Sequence, residues 1–263
     1  MITSTANSQI KALIQLMTKA KVRRDKSLFV TEGIKMVLET PSDRLEKIYV
    51  SEKFITNPSN LKKLDGFLYE VVSDEVFKHV SDTVTPQGVL ALVKMKEHNL
   101  DEMFVKKEGN LFVILEDVQD LGNLGTIIRT AEGAGVRGII MTKNTVDIYN
   151  PKVIRSTMGA IYRMPFMYTD NIESVISQMQ QKKTVICAAH LNGKNNYFDE
   201  DYTGNTAFII GNESKGITDE LAGKADVLVK IPMEGKVESL NASVAASILM
   251  YEAYRQKCKH SSH

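Results

Sequence analysis

The sequence has almost no net charge, few cysteines and no tryptophan. Its 263 residues carry 33 lysines and arginines against 32 aspartates and glutamates, which leaves a net charge of +1. This balance excludes the acidic, disordered class of protein, and it gives no support to a nucleic-acid-binding protein that is basic throughout. No run of about 18 apolar residues occurs, so we expect no transmembrane span and no membrane association. Met1–Ala6 lacks the basic and apolar regions of a signal peptide.

The cysteines and histidines, which could bind a metal or take part in nucleophilic catalysis, form no motif. Cys187 and Cys258 match no metal-ligand or redox spacing, and the five histidines are scattered along the chain. We therefore expect no metal site, and no His–Asp pair is placed to activate a serine. Two isolated cysteines are typical of a reduced compartment, which predicts a cytoplasmic protein.

One local charge imbalance interrupts the overall balance. Lys19–Lys26 holds five cations and one anion in eight residues. Such a cluster neutralises phosphates and releases counterions when nucleic acid binds. It also fits the solvated C-terminal end of a helix, where cations are favoured. The residues alone leave both interpretations open.

The first 95 residues predict a small α/β domain. A helix is expected to begin at Asn7 or Ser8, with Ile10, Leu13 and Met17 on its apolar face. Apolar runs predict strands at residues 28–30, 47–50, 67–72 and 88–93. A polar, charged linker follows over residues 96–109, so a second domain is expected over residues 110–263.

The second domain is expected to contain a parallel sheet covered by helices. Its strands are expected at residues 111–115, 138–142, 184–188, 207–210 and 227–231, and its helices at residues 124–133, 172–181 and 240–257. Because Leu111–Leu115 is apolar at every position, both faces of that strand must be covered. The expected fold class is therefore α/β.

Polar side chains lie in three segments of this domain, at positions where ligands bind in open α/β sheets. The segments are Asn123–Ala131, Phe208–Gly216 and Ile231–Ser243. None contains GxGxxG or GK[ST], so neither a nicotinamide-dependent enzyme nor a nucleoside triphosphatase is favoured. Taken singly, the segments also fit an ordinary helix start, a strand-to-helix turn and a core helix.

In this order and spacing, the three segments resemble the motifs of the SpoU/TrmH family of RNA ribose 2′-O-methyltransferases, which belong to the SPOUT superfamily. The matching positions are Asn123, Gly125, Arg129–Ala131, Ile210–Glu213, Gly216, Ile231–Met233 and Ser239–Ala245. A fourth match covers Asn150–Ser156, Gly159 and Ala160. The first domain resembles the family's N-terminal substrate-binding domain at Ile2–Ser4, Asn7, Ile10, Lys11, Arg23, Arg24, Phe29, Glu32 and Gly33.

The resemblance implies a fold and partners that the residues alone do not give. It implies a C-terminal domain with a trefoil knot, preceded by a small ribosomal-protein-like α/β domain. It implies S-adenosylmethionine as the methyl donor, structured RNA as the substrate, with ribosomal RNA favoured, and a homodimer. A transfer RNA methyltransferase and a non-catalytic RNA-binding factor remain as alternatives.

The resemblance also assigns roles to residues. Arg129 is expected to activate or orient the ribose 2′-OH, while Asn123 and Glu213 position groups around it. Ser239 and Asn241 are expected to shape the cofactor and substrate end of the site. The cofactor-binding residues are expected to be Gly211, Ile231, Leu240, Ala189, Asn212, Met233 and Ala242. The RNA-binding residues are expected to be Lys21, Arg23, Arg24, Lys26 and Arg155.

Overall fold

The computed structural model describes residues 1–105 and 108–260, without the side chain of His260. These residues form two compact units. The first comprises Met1–Lys96 and Asp147–Tyr162, and the second comprises Glu97–Val146 and the chain from Arg163 onward. Residues 147–162, which the sequence prediction assigns to the second domain, thus pack within the first unit. Two residues of the predicted linker, Lys106 and Lys107, and the last three residues of the chain lie outside the described residues.

Helices and strands alternate in both units. The helices are α1 (Ser8–Thr18), α2 (Ala20–Lys26), α3 (Ile34–Leu38), α4 (Glu52–Ile55), α5 (Pro58–Lys63), α6 (Asp74–Val80), α7 (Leu100–Met103), α8 (Leu121–Gly133), α9 (Pro151–Thr157), α10 (Ile172–Gln181), α11 (Asp219–Ala222) and α12 (Ala242–His260). The strands are β1 (Leu28–Glu32), β2 (Leu45–Ser51), β3 (Tyr69–Val72), β4 (Val89–Lys94), β5 (Leu111–Leu115), β6 (Gly138–Thr142), β7 (Phe166–Thr169), β8 (Val185–Ala189), β9 (Asn195–Asn196), β10 (Thr206–Ile210) and β11 (Val227–Lys230).

The first unit is built on a four-stranded sheet in the order β1-β4-β2-β3. Strand β4 pairs antiparallel with β1 and β2, and β3 pairs parallel with β2. Helix α1 packs against β1 and buries Ile10, Leu13 and Met17. Asn7 caps that helix, because its side chain accepts a hydrogen bond from the backbone N–H of Gln9 at 2.9 Å. The predicted cap and apolar face are confirmed, and the four predicted strands are confirmed within two residues at each end.

The structure corrects one member of the predicted RNA-binding set. The side chain of Arg23 is only 2% exposed, and its Nε and Nη2 donate to Oδ2 of Asp147 at 2.8 and 2.6 Å. Its Nη1 donates to the carbonyl of Leu16 at 2.6 Å. The prediction that Arg23 contacts RNA is therefore wrong, because its guanidinium is buried and already paired with a carboxylate. The pair instead fixes the start of residues 147–162 to helix α2.

The second unit is built on a seven-stranded parallel sheet in the order β7-β6-β5-β10-β8-β11-β9. Every residue of β5 and β10 is buried, which confirms that the sheet is covered on both faces. The five predicted strands are confirmed within one residue at each end. Strands β7 and β9 were not predicted, because four and two residues are too few to show an apolar pattern. None of the described helices is long and apolar enough to cross a membrane.

Helix α12 packs on both α8 and β10. Its buried positions against these elements include the small residues Ala246 and Ala253, which permit close approach of the helices. The hydroxyl oxygens of Ser247, in the second turn of α12, and Thr130, in the last turn of α8, lie 3.4 Å apart. This packing places the start of α12 beside the start of α8, and the candidate site lies at those two helix starts.

Candidate functional site

The strand order brings four loops to one edge of the second unit's sheet. Strands β5, β10, β8 and β11 are neighbours and run parallel, so their carboxyl ends lie at the same edge. The three segments singled out from the sequence follow β5, β10 and β11. This edge is where ligands bind in open parallel sheets.

Glu213 is the centre of the hydrogen-bond network at this edge. Its Oε2 accepts from the backbone N–H of Gln119 at 3.0 Å, and its Oε1 accepts from the backbone N–H of Asp120 at 3.0 Å. Oε1 also accepts from Nδ2 of Asn123 at 3.0 Å. Burial alone would raise the pKa of Glu213, but these hydrogen bonds outweigh it and hold the pKa below its usual value. The carboxylate is thus ionised at neutral pH and fixed in orientation.

Asn241 connects the third segment to the same network. Its Nδ2 donates to Oδ1 of Asn123 at 2.9 Å. Its own Oδ1 accepts from the backbone N–H and the hydroxyl of Ser243 at 2.9 and 2.7 Å, which fixes the first turn of α12. The structure therefore brings together three of the five predicted catalytic residues, Asn123, Glu213 and Asn241.

The turn after β10 is closed by Asn212 and two glycines. The backbones of Asn212 and Gly216 exchange hydrogen bonds of 3.0 and 2.9 Å. Oδ1 of Asn212 accepts from the backbone N–H groups of Ser214 and Lys215, and its Nδ2 donates to the carbonyl of Asp117 at 2.8 Å. A Cβ at Gly211 would overlap the carbonyl of Gly216 and the backbone nitrogen that follows it. Only glycine fits at position 211, because the turn folds directly back on it.

The predicted cofactor-binding residues surround this edge. Ala189 ends β8, while Gly211 and Ile231 directly follow β10 and β11. These three residues are half-buried, as are Asn212, Met233 and Leu240, whereas Ala242 is buried. Apart from Asn212, these residues are small or apolar. Such a surface suits a ligand that is held by backbone contacts and apolar packing.

Two predicted catalytic residues lie outside the network. Arg129 is exposed on α8 and makes no hydrogen bond or ion pair with any described residue. Because it lies six residues after Asn123, it is about 9 Å farther along the helix axis. Ser239 is exposed in the loop between β11 and α12 and likewise has no hydrogen-bond partner in the described part of the chain. Both side chains are available to a ligand.

The predicted RNA-binding residues other than Arg23 are accessible. Lys21, Arg24 and Lys26 are exposed on or at the end of α2. Arg155 on α9 is partly exposed, and its Nη1 donates to Oδ2 of Asp82 at 2.7 Å. They all belong to the first unit.

Sequence reasoning missed the acidic residues that shape the loop after β5. Asp120 caps α8 by accepting from the backbone N–H of Asn123 at 2.7 Å. Glu116 accepts hydrogen bonds from the hydroxyl and backbone N–H of Thr218 at 2.6 and 2.9 Å. It thus joins the end of β5 to the segment that follows the β10 turn. An acidic residue directly after a fully apolar strand is the signal that marks Glu116. Among the described residues, no group of three or more His, Cys, Asp or Glu is placed to hold a metal ion.

Comparisons with known proteins match both parts of the chain. Residues 110–251 match the model of the SpoU rRNA Methylase family. Residues 7–91 match the model of the MRM3-like substrate binding domain.

Similar proteins and structures extend over nearly the whole chain. The 23S rRNA (guanosine(2553)-2′-O)-methyltransferase RlmP of Bacillus subtilis is 32% identical over 95% of this chain and 97% of its own length. The crystal structure of the SpoU methyltransferase AviRb from Streptomyces viridochromogenes, in complex with the cofactor AdoMet, has a TM-score of 0.85 at 25% identity and covers 96% of this chain and 100% of AviRb. The AdoMet-bound rRNA methyltransferase from Sinorhizobium meliloti has a TM-score of 0.83 at 30% identity, with 97% of each chain covered.

The network predicts a pH-dependent loss of stability in the variant Glu213→Gln. At neutral pH the free energy of unfolding should fall by about 1–3 kcal/mol, because the amide NH2 faces N–H donors and leaves hydrogen bonds unmade. The folded-state pKa of Glu213 lies below its ordinary value of 4.5. The contribution of the carboxylate is therefore complete above that value and is lost as the pH falls through the folded-state pKa. Urea denaturation of the variant and the wild type at a series of pH values measures this difference in the free energy of unfolding.

The control is Glu238→Gln, since Glu238 is exposed and has no hydrogen-bond partner among the described residues. Its stability should follow that of the wild type at every pH. Equal stability of Glu213→Gln and the wild type at neutral pH would contradict the role given to the network.

Proposed function

Because the chain belongs to the SpoU rRNA methylase family, we propose that it transfers the methyl group of S-adenosylmethionine to a ribose 2′-OH of ribosomal RNA. The observation that carries the proposal is the Glu213–Asn123–Asn241 network, which joins the three motif segments at the ligand-binding edge of the sheet. The match to RlmP over nearly the full length of both chains supports ribosomal RNA as the substrate class. The substrate-binding model over residues 7–91 agrees with it.

The residues at the sheet edge fit S-adenosylmethionine. The ligand has no phosphates, and the edge has no phosphate-binding loop motif. Gly211 lets the Asn212–Gly216 turn fold back on the end of β10, and Ala189, Ile231 and Leu240 supply apolar surface. We assign cofactor binding to these residues, with Asn212, Met233 and Ala242 beside them. The bound cofactor supplies an electrophilic methyl group.

Arg129 is the proposed catalytic residue for the acceptor. A ribose hydroxyl is a weak nucleophile and must lose its proton as it attacks. A guanidinium stays charged in proteins, and a nearby positive charge favours the ionised form of an acidic group. Arg129 is exposed and unpaired in the described chain, so its charge is available to the hydroxyl and to the adjoining phosphate. Glu213 already accepts three hydrogen bonds, so we give it and Asn123 positioning roles, with Ser239 and Asn241 at the entrance.

Replacing Arg129 by alanine should separate catalysis from cofactor binding. Methyl transfer should fall by about 100-fold or more, because the variant lacks the charge that stabilises the developing oxyanion. The affinity for S-adenosylmethionine, measured by calorimetry, should not change. Arg163→Ala is the control, since Arg163 is also an exposed arginine of the second unit. Wild-type turnover in Arg129→Ala would remove Arg129 from the mechanism.

A methyl-transfer assay with the wild-type protein tests the proposed function. Radiolabelled S-adenosylmethionine is incubated with the protein and total RNA from cells that lack it, and mass spectrometry then locates the modified nucleotide. We expect one ribose-methylated position in ribosomal RNA. Label in transfer RNA would favour the first alternative, and no transfer to any RNA would favour a non-catalytic RNA-binding factor.

The exposed cations of α2 are proposed to hold RNA phosphates. The double variant Lys21→Glu/Arg24→Glu should bind 23S rRNA more weakly and with a flatter salt dependence, because each lost phosphate contact removes about one unit of salt slope. The variant Lys62→Glu/Lys63→Glu makes the same charge change on α5 and is the control. Equal weakening by both variants would show that overall charge, and not the α2 cluster, controls binding.

We also propose the knot and the homodimer of the family. The match of residues 110–251 to the SpoU rRNA Methylase family supports the knot. Helix α12 leaves Val244 and Tyr251 largely exposed, two turns apart on one face, which supports pairing with a second copy.

Sedimentation equilibrium should give twice the mass of the chain, and an active monomer would contradict the dimer. The cytoplasmic location stays a prediction.

A further inference from the structure

The loop between α6 and β4, residues 81–88 of the first unit, is held in a fixed shape by one buried carboxylate. Glu32, at the end of β1, is only 9% exposed. Its Oε1 accepts from the hydroxyls of Ser81 and Thr83 at 2.7 and 2.8 Å. The backbone N–H of Thr83 also donates to the hydroxyl of Ser81 at 3.1 Å. The residues on both sides of Asp82 are thus turned inward, and the exposed Asp82 between them is left to face outward.

Asp82 pairs with a cation that the resemblance places among the RNA-binding residues. Nη1 of Arg155 lies 2.7 Å from Oδ2 of Asp82, and the two side chains are 34% and 52% exposed. An exposed ion pair contributes little to stability and is readily exchanged for another partner. Helix α9, which carries Arg155, packs on β1 and is capped by Asn150. Both partners of the pair are therefore held by ordered elements of the first unit.

The pair places a carboxylate where a phosphate would bind. A guanidinium recognises carboxylate and phosphate oxygens with the same planar set of donors. Lys152 lies one turn before Arg155 on the same helix and is exposed, so two cations occur together there. An RNA phosphate that takes the Nη1 donor of Arg155 must first displace Asp82.

We propose that Asp82 is a built-in competitor for the phosphate site of Arg155, a proposal that rests on the RNA-binding function proposed above. Asp82 acts through Arg155 as a positioning residue. It lowers the affinity for RNA, because a strand that binds Arg155 breaks an existing ion pair. An RNA that places a phosphate at Arg155 gains the phosphate contact but loses the contact with Asp82, so Arg155 adds less to its affinity than an unpaired arginine would.

The variant Asp82→Asn tests the sign of the effect. It should bind unmodified 23S rRNA, transcribed in vitro, about 2–5-fold more tightly at low salt, because Arg155 no longer has a competing carboxylate partner. A structural contact that only supports the loop would give weaker or unchanged binding. Arg155→Gln should bind more weakly, with a salt slope reduced by about one unit. The double variant should bind like Arg155→Gln, because the gain from Asp82→Asn requires the arginine.

Glu46→Gln is the matched control. Glu46 is also an exposed carboxylate of the first unit, with its Oε2 3.2 Å from Nζ of Lys94, and the substitution makes the same change in charge. Its RNA affinity should equal that of the wild type. The proposal is overturned if Glu46→Gln tightens binding as much as Asp82→Asn does. It is also overturned if Asp82→Asn does not tighten binding, or if the gain persists in the Arg155→Gln background.

Methyl transfer by the wild-type protein separates this proposal from the proposed function. If the wild type methylates 23S rRNA while Asp82→Asn binds no more tightly, only the competitor role fails. If the wild type methylates no RNA, the methyltransferase proposal fails, while the binding assays still decide the role of Asp82. Thermal denaturation of Asp82→Asn should match that of the wild type, because the two hydroxyls that clamp the loop to Glu32 are kept.

Discussion

The site depends on the side-chain amide of Asn123. Its NH2 donates to Glu213, 90 residues away, and its oxygen accepts from Asn241, 118 residues away. An amide has a donor and an acceptor on opposite sides, so one side chain can orient a carboxylate and a second amide together. Aspartate at this position would face the carboxylate of Glu213 with another carboxylate. Because Glu213 also binds the two backbone N–H groups before α8, three distant segments are held in one arrangement at the edge of the sheet.

Around that amide, the site is formed mostly by backbone. The turn at Asn212–Gly216 closes on itself through two backbone hydrogen bonds, and Gly211 has no room for a side chain. Backbone groups fixed by paired strands do not need to reorganise when a ligand binds, so the cost of ordering the site is met when the protein folds. The exposed Arg129 is the exception, since no described residue holds it. In the proposed function, this division fixes the cofactor side of the site at the sheet edge and leaves the Arg129 side chain able to adapt to an RNA strand.

The sequence predicts helices and strands better than it predicts which distant residues contact one another. Strands β5, β6, β8, β10 and β11 were placed within one residue because buried parallel strands are apolar on both faces. The convergence of the motif segments came from the resemblance, since no periodicity relates Asn123 to Asn241. The prediction that Arg23 contacts RNA was wrong for the same reason. A cluster of cations shows charge but not burial, and its partner Asp147 lies 124 residues away in the chain.

Residues 147–162 place charged side chains from the second half of the sequence within the first unit. By sequence they fall inside the methylase model of residues 110–251, yet they pack within the first unit. They bring Arg155 onto that unit, while Asp147 neutralises the buried Arg23 and Asp82 pairs with Arg155. Two of the cations expected to bind RNA are thus balanced by carboxylates, one permanently by burial and one exchangeably at the surface. In the proposed function, internal pairing of this kind lowers the non-specific affinity for RNA, because that affinity grows with the number of phosphates neutralised.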